Sequence, residues 1–473
     1  MSAPFLWIIL PVLVGGFSLM LLSERATAVT GGMAALILAG LALILPVDEA
    51  LSFGPISLKI ASSVSFLGRS LVLPPADGPL LAIIFGVCAL WFFGAEAAGA
   101  ASRLIPFGLI ITGLLVSSIA VQPFLFASLL IEIAVLVAVP LLSPPDHIPG
   151  HGIIRFLIYQ TLGMPFILFA GWLLAGVEAS PGDLSLTVQS TVMLGLGFAF
   201  LLAIFPLYNW IPQLMEEGSP YTTAFLLWLL PTIVVVFGMS FLDRYAWLRT
   251  SPQIITGLRV AGLVMLVSGA WWAAFQRHFG RLMAYTCIAE TGFLLLAVSL
   301  AAGGPATSGA AANANLVFLL LIPRGLGLAI WALSLSILKT NDPSLRFSSL
   351  QGLARTYPVA SAGLVLAALS TAGLPLLAGF PPRLALWQGL ANESFGAAMW
   401  FVIGILGALI GAMRQLAVLV MQKEDTAWTS KENLVQRGML GIGILGLFIL
   451  GIFPQSVGFI VEKLPLMFQH LGQ

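Results

Sequence analysis

Six ionisable side chains interrupt long apolar stretches of this sequence, and their chemistry needs an explanation. They are Glu132, Arg155, Glu290, Arg324, Arg383 and Arg414. One charge at the centre of a membrane-spanning helix costs about 3 kcal/mol on insertion scales. Such residues usually face a polar interior, pair with one another and line a path for protons or ions. For each arginine, the alternative is a side chain that extends along its helix to the membrane surface.

Glu132 is the most isolated of these residues. It lies in the apolar segment 126–136, and no other charged residue occurs within ten positions. A buried carboxyl group can bind a proton or couple to a neighbouring charge, which is the functional interpretation. Alternatively, it is a neutral carboxylic acid that donates one hydrogen bond to another helix. Glu290 fits the same role in a second repeat, because the two glutamates lie in the fifth and tenth apolar stretches.

Few other groups in the sequence could bind a metal or a cofactor. Asp146, His147 and His151 could ligate a metal ion, but Pro149 and Gly150 place them in a loop rather than on a rigid helix. The sequence contains no phosphate-binding loop, dinucleotide-binding glycine motif, paired-cysteine motif or catalytic-triad pattern. We therefore expect no catalytic residue, no metal and no cofactor on this chain.

The elements that must position these residues follow from the composition. Of 473 residues, 59% are hydrophobic and 8% are charged, whereas a soluble domain carries about 25% charged residues. The mean hydropathy is +1.05 and the net charge is +1. These values exclude a soluble multidomain enzyme, a disordered chain and a nucleic-acid-binding protein. They predict an all-α polytopic protein of the lipid bilayer.

The sequence contains fourteen apolar stretches of the length that a membrane span needs. We read them as helices of a single integral membrane domain, the first retained because no basic segment precedes it. Ten Lys and Arg residues lie in odd-numbered connections, against five or six in even-numbered ones. This bias predicts that both termini lie on the outer side. The stretches lie near 5–22, 29–46, 79–94, 104–120, 123–142, 153–176, 190–211, 221–242, 254–275, 282–302, 315–338, 360–380, 395–421 and 437–458.

Two connections and two proline-containing stretches stand out. Segment 47–78 predicts a hairpin or an interfacial loop, and 303–313 has the composition of a flexible loop. Segments 197–212 and 369–383 both place proline inside or at the end of an apolar span. Proline disrupts a helix, so paired interruptions indicate inverted repeats around a transport path. The alternative is two ordinary kinked helices.

Three motifs in order make the sequence resemble a known family. Residues 205–212 (FPLYNWIP) resemble the motif FPFHxWLP, residues 276–286 resemble QxDxKRLLAYS, and residues 372–380 resemble AGxPPLAGF. These motifs, with the glutamate of the fifth stretch, are similar to those of the antiporter-like membrane subunits of respiratory complex I, subunits L, M and N. Related subunits occur in multisubunit cation/proton antiporters and membrane hydrogenases. The resemblance covers roughly 80–460.

The resemblance implies a fold and a line of charged residues. It implies two inverted five-helix repeats with broken helices 7 and 12, and protons moving along a central charged axis. Helices 1–3 would occupy 1–103, the first repeat 104–242, the second repeat 254–421, and helix 14 residues 437–458. On this resemblance Glu132 matches the helix-five glutamate and Arg383 the helix-twelve lysine. Arg155 matches a lysine near the start of helix six, and Arg414 an arginine of helix thirteen.

Departures from the family pattern bear on proton transfer. The helix-seven lysine falls at Leu201 and the helix-eight lysine near Pro231, and no lysine occurs between Lys59 and Lys339. The histidine of FPFHxWLP is Tyr208. Arginine does not release its proton in a protein, whereas a buried lysine can. A proton route would then depend on Glu132, Glu290, Tyr208, His278 and water.

The sequence thus predicts an antiporter-like membrane-arm subunit of a complex I-like NADH–quinone oxidoreductase. It would contribute to proton translocation through an altered path, in the bacterial inner membrane. Its partners would be other membrane subunits, which carry the redox cofactors and any contact with quinone. One alternative is a non-conducting structural subunit of such a complex. Another is a subunit of a multisubunit cation/proton antiporter or of an ion-coupled bicarbonate system.

Overall fold

The computed structural model describes residues 2–21, 23–53, 56–66, 68–143, 149–179, 184–303, 310–421 and 428–471, which are mainly helical. The helices are α1 (Leu10–Ser18, continuing a π-helix at Phe5–Ile9), α2 (Glu24–Ile44), α3 (Gly78–Gly94), α4 (Ala101–Ala120), α5 (Ala127–Leu142), α6 (His151–Ala179), α7 (Leu184–Leu201), α8 (Trp210–Glu217), α9 (Pro220–Arg244), α10 (Ala246–Arg249), α11 (Pro252–Phe275), α12 (Phe279–Gly303), α13 (Ala310–Lys339), α14 (Pro358–Thr371), α15 (Phe380–Glu393), α16 (Phe395–Val420), α17 (Leu434–Ile452) and α18 (Gly458–Val461).

Most of these helices are long and apolar enough to cross a membrane. Twelve of the described helical segments qualify, with lengths of 18 to 28 residues. At 1.5 Å per residue they measure about 27 to 42 Å, against a hydrocarbon core of about 30 Å. Two shorter apolar helices lie at Phe5–Ser18 and Pro358–Thr371. The prediction of an all-α polytopic membrane protein is therefore confirmed.

The connection between α2 and α3 forms two antiparallel hairpins. Strand β1 (Ala50–Phe53) pairs with β2 (Ile56–Lys59), and β3 (Ser63–Phe66) pairs with β4 (Arg69–Val72). The short strand β5 (Val121–Gln122), after α4, extends the second hairpin. The prediction of a hairpin in 47–78 is confirmed. The other predicted loop, 303–313, lies largely outside the described residues, since 304–309 are not among them.

Three helices occupy the centre of the molecule. Almost every residue of α12 is buried, and most residues of α9 and α13 are buried as well. By contrast, less than a third of the residues of α7, α11 and α17 are buried. Burial inside a bundle lets polar side chains find protein partners in place of lipid, so α9, α12 and α13 can carry charge at membrane depth.

Two helices end and are each followed by a second helix after a connection of eight residues. Helix α7 ends at Leu201 and α8 begins at Trp210, and α14 ends at Thr371 and α15 begins at Phe380. Each stop has a left-handed residue just after the helix, Ala203 with φ 50° in the first case and Gly373 with φ 77° in the second. This closure satisfies carbonyls at a helix end. Both stops use the same backbone hydrogen bonds: Ala203 N to Phe200 O, Ile204 N to Ala199 O, Gly373 N to Ser370 O, and Leu374 N to Leu369 O.

Candidate functional site

A buried ion pair joins the second interruption to the central helix α12. The Arg383 guanidinium, in the first turn of α15, donates to the Glu290 carboxylate, and their side chains are 5% and 1% exposed. Arg383 also donates to the Gly379 carbonyl at 3.0 Å and lies 4.6 Å from the centre of the Phe293 ring. The helix stop therefore places a fixed cation against a carboxylate in the middle of the bundle.

A second buried arginine lies close to the same carboxylate. Arg324, on α13, donates to the carbonyls of Leu227 at 2.7 Å and Trp228 at 3.0 Å, and to the Thr232 hydroxyl at 3.0 Å. It lies within electrostatic range of Glu290. We call Arg383, Glu290 and Arg324 the arginine–glutamate cluster.

Glu132 lies apart from this cluster. It is on α5, it is buried, and its Oε1 accepts a hydrogen bond from the Thr161 hydroxyl of α6 at 2.7 Å. Its Oε2 is buried and has no hydrogen-bond partner among the described residues. No ion pair to Glu132 occurs within the described part of the chain. The free oxygen can hold a proton, so the geometry allows the predicted proton-binding role without testing it.

A narrow cavity lies between α6 and the central helices. Its volume is about 10 Å³, roughly the space that one ordered water needs. Gln160 lines one side, next in sequence to the partner of Glu132, and donates to the Leu201 carbonyl at 3.2 Å. Cys287 and Thr291, which are close to Glu290 in the sequence, also line the cavity. Leu201 and Pro231, where the family resemblance places lysines, both form part of the wall.

Arg155 and Arg414 are not part of the arginine–glutamate cluster. Arg155 is exposed and donates to Gln213 Oε1 of α8 at 2.8 Å. Arg414 is half-buried, donates to the Ala274 carbonyl at the end of α11, and lies 5.4 Å from the Phe347 ring. Both arginines therefore bind partners outside the cluster. Their proposed part in a proton path stays a prediction.

Tyr208 and His278 both lie close to the first two turns of α12. Tyr208 is buried in the connection from α7 to α8, and its ring centre is 6.4 Å from that of Tyr285 on α12. His278 directly precedes α12, and its Nδ1 accepts from the Arg281 N–H at 3.2 Å. Their predicted part in proton transfer remains a prediction, since neither side chain contacts the arginine–glutamate cluster in the described structure.

The surroundings of His278 favour its neutral form. Burial lowers the pKa of its ring below the usual value of 6.5, the Glu216 carboxylate opposes this, and the cations Arg281, Arg346 and Lys339 lower it further. At neutral pH the ring is therefore mainly uncharged and can accept a proton. Glu216 itself forms an ion pair with Arg281 at 2.6 Å.

Several polar residues near the site had been missed in the sequence. On α6, Thr161 binds Glu132 and Gln160 binds the Leu201 carbonyl. On α9, Thr232 accepts a hydrogen bond from Arg324. The sequence signal for these residues was a hydroxyl or amide side chain inside an otherwise apolar span.

No group of three or more potential metal ligands occurs among the described residues. Asp146 and His147, two members of the weak metal candidate, lie outside the described residues.

Comparisons with known proteins agree on one family. A family model described as NADH:quinone oxidoreductase/Mrp antiporter, TM, matches residues 152–411. Subunit N of the NADH-quinone oxidoreductase of Desulfitobacterium hafniense is 28% identical over 279 residues, covering 56% of this chain and 53% of that protein. Subunit N from Pelagibacter ubique is 23% identical over 333 residues, covering 66% of this chain and 67% of that protein. The chain spans about half the length of several curated relatives that it matches.

Solved structures show the same fold over nearly the whole chain. A chain of respiratory complex I from Thermus thermophilus with bound NADH has a TM-score of 0.78 at 20% identity, and the match covers 99% of this chain and 100% of that one. A chain of the Mrp complex from Dietzia sp. has a TM-score of 0.79 at 16% identity, with coverages of 100% and 99%. Both similarities concern the arrangement of helices.

Proposed function

Because this chain belongs to the family of membrane subunits shared by NADH:quinone oxidoreductases and Mrp antiporters, we propose that it is an antiporter-like subunit in the membrane arm of a complex I-like NADH–quinone oxidoreductase. In this role it contributes to proton translocation across the membrane. The redox cofactors belong to partner subunits, and any contact with quinone is made by neighbouring chains. The curated relatives named as subunit N of such an enzyme support this assignment.

The observation that carries the proposal is the buried arginine–glutamate cluster. Burying charged side chains costs desolvation free energy, and apolar residues of similar volume would often stabilise the fold as well or better. A buried charged cluster is therefore poor evidence of a purely stabilising role. Charged residues inside a membrane protein commonly mark ion or proton paths. In this chain, Glu132 has a buried oxygen without a hydrogen-bond partner among the described residues, and Arg383 and Glu290 form a buried ion pair.

One observation favours a second candidate, a structural subunit that conducts nothing. Leu201 and Pro231 line the cavity together with Gln160, Cys287 and Thr291. Neither side chain can bind or release a proton. A proton that crosses this gap would have to move through water alone, in a space that holds about one molecule. An antiporter assembly without redox partners is the third arrangement, and the likeness to the Mrp chain fits it.

Purification of the assembly through a tag on this chain tests the proposal. We expect quinone-reactive and iron–sulfur subunits to copurify, as identified by mass spectrometry. The assembly reconstituted in vesicles should then move protons when NADH and quinone are supplied. Copurification of small membrane antiporter subunits alone would favour ion exchange. The assembly can also be compared with one that lacks this chain. If electron transfer continues and the same number of protons is moved without the chain, the structural role is favoured.

A further inference from the structure

We propose that Pro231 of α9 creates a binding site on that helix for the guanidinium of Arg324 on α13. In this arrangement α13 supplies a permanent positive charge to the backbone of α9. The effect of this charge on proton transfer rests on the proposed function. The binding of Arg324 to α9 does not, and it can be tested separately.

Pro231 leaves one carbonyl of α9 without its helical partner. In an α-helix the N–H of each residue bonds to the carbonyl four positions earlier, and proline has no N–H. The affected carbonyl is that of Leu227, and both Leu227 and Pro231 are buried inside the span Pro220–Arg244. A carbonyl without a partner is costly in a bilayer because no water is present to replace the lost bond. Another group must therefore reach it.

The Arg324 side chain supplies that group and two further hydrogen bonds. Its Nη2 donates to the Leu227 carbonyl at 2.7 Å. Its Nη1 donates to the Trp228 carbonyl and to the Thr232 hydroxyl, each at 3.0 Å. All three acceptors lie on about one turn of α9, next to Pro231. The planar guanidinium matches this spread of acceptors, and an ammonium group, as a point charge, does so less well.

The same side chain also adds a positive charge to the surroundings of Glu290. Arg383 binds this carboxylate from α15, and Arg324 lies within electrostatic range of it from α13. The family resemblance places a lysine near Pro231. In this chain the positive charge bound to α9 at this place is Arg324, which does not lose its proton. The charge beside Glu290 stays constant while protons move elsewhere.

A double-mutant cycle tests the binding of Arg324 to α9. Arg324→Met removes the donors, and Pro231→Ala returns an N–H to the Leu227 carbonyl. We expect Arg324→Met to lower the melting temperature of the purified assembly, and to lower it much less when Pro231→Ala is also present. Arg249→Met is the matched control, since Arg249 also donates to carbonyls of α9, those of Leu242 and Asp243 at 3.2 and 2.8 Å.

The control variant separates this pairing from a general loss of stability. The effect of Arg249→Met should be the same with and without Pro231→Ala, because its carbonyls lie at the end of α9. If the effects of Arg324→Met and Pro231→Ala on the melting temperature are additive, as expected for the control pair, the proline does not create the arginine site and the proposal fails. This measurement needs no proton transport, so it remains decisive if the proposed function is wrong.

Proton transport by Arg324→Lys tests the constant charge. A lysine at this buried position is positive at neutral pH and loses its proton as the pH rises, earlier than in water. We expect proton translocation by Arg324→Lys to fall as the pH rises, with a decline at alkaline pH that the wild type does not show. Arg324→Met should lose most proton translocation at every pH while electron transfer continues. A pH profile of Arg324→Lys that matches the wild type would refute the role of a fixed charge.

Discussion

At the scale of single residues, burial and partners separate carboxylates that look alike in the sequence. Glu290 has one arginine bonded to it and a second nearby, so its charge is compensated. Glu132 has only the Thr161 hydroxyl, and its second oxygen is buried without a partner among the described residues. Glu290 also has one buried oxygen without a partner there, so the two glutamates differ in that only Glu290 binds an arginine among the described residues. The structure favours different roles for the two glutamates.

We predict that Glu132→Gln reduces proton translocation strongly while the assembly still forms. Glutamine keeps the size of the side chain and can still bind Thr161, but it cannot take up or release a proton. Proton release per electron transferred, measured in reconstituted vesicles, should fall while electron transfer continues. Glu462→Gln serves as the control, since Glu462 is an exposed carboxylate after α18. Unchanged proton release in Glu132→Gln would exclude this carboxyl group from the path.

At the scale of elements, the helix stops and the buried polar side chains form one feature. Every helix that stops or contains proline leaves carbonyls without an N–H partner. Gln160 binds the last carbonyl of α7, that of Leu201, and Arg383 binds the Gly379 carbonyl before α15. The polar residues therefore let irregular backbone persist inside the bilayer. The identical closure of α7 and α14 supports our proposal that 104–242 and 254–421 are two repeats.

The stop before α15 should tolerate no side chain at Gly379. A Cβ atom there would collide with the Ser370 carbonyl oxygen and the Arg383 guanidinium. We predict that Gly379→Ala destabilises the subunit by about 1–3 kcal/mol, as overpacking of a core does, and weakens the bond between Arg383 and Glu290. The melting temperature of the assembly should fall, and proton release should fall with it.

Gly441→Ala is the matched control for this prediction. Gly441 lies in the middle of α17, and a Cβ atom there would meet nothing within 4 Å. The same change of residue type should therefore leave the melting temperature close to that of the wild type. Equal melting temperatures for the two variants would show that the space around Gly379 is not as tight as the structure indicates.

At the scale of the whole molecule, the alternation of helices places the connections on two sides of a membrane. We propose that the chain lies in the bacterial inner membrane with both termini outside, on the basis of the Lys and Arg bias between connections. The hairpins β1–β4 then lie outside. The connection between α13 and α14, which contains Arg346 and Arg355, then lies inside.

Cysteine labelling in intact cells tests this orientation. Ser65 in β3 and Ser348 between α13 and α14 are both exposed, so each can be replaced by cysteine. The two native cysteines, Cys88 and Cys287, are buried and should not react. A maleimide that cannot cross the membrane should label Ser65→Cys from outside, and Ser348→Cys only after the membrane is opened. The reverse pattern would invert the proposed orientation.

The sequence by itself determined the class of the protein, its apolar stretches, the hairpin connection and the family resemblance. These depend on composition and on local order along the chain, which a linear reading contains. It also identified Glu132, Glu290, Arg324 and Arg383 as unusual, because a charge in an apolar span is visible without a structure.

Only the tertiary structure decided which of these residues interact. The ion pair joins residues 93 positions apart, and the bond from Arg324 to Leu227 joins residues 97 positions apart. Such pairings depend on which helices pack together and on which carbonyls those helices leave free. Arg155 and Arg414 look as unusual as Arg383 in the sequence, yet they bind a glutamine side chain and a backbone carbonyl instead of a buried carboxylate. The depth and neighbours of a charge are properties of the assembled bundle, so no single span can reveal them.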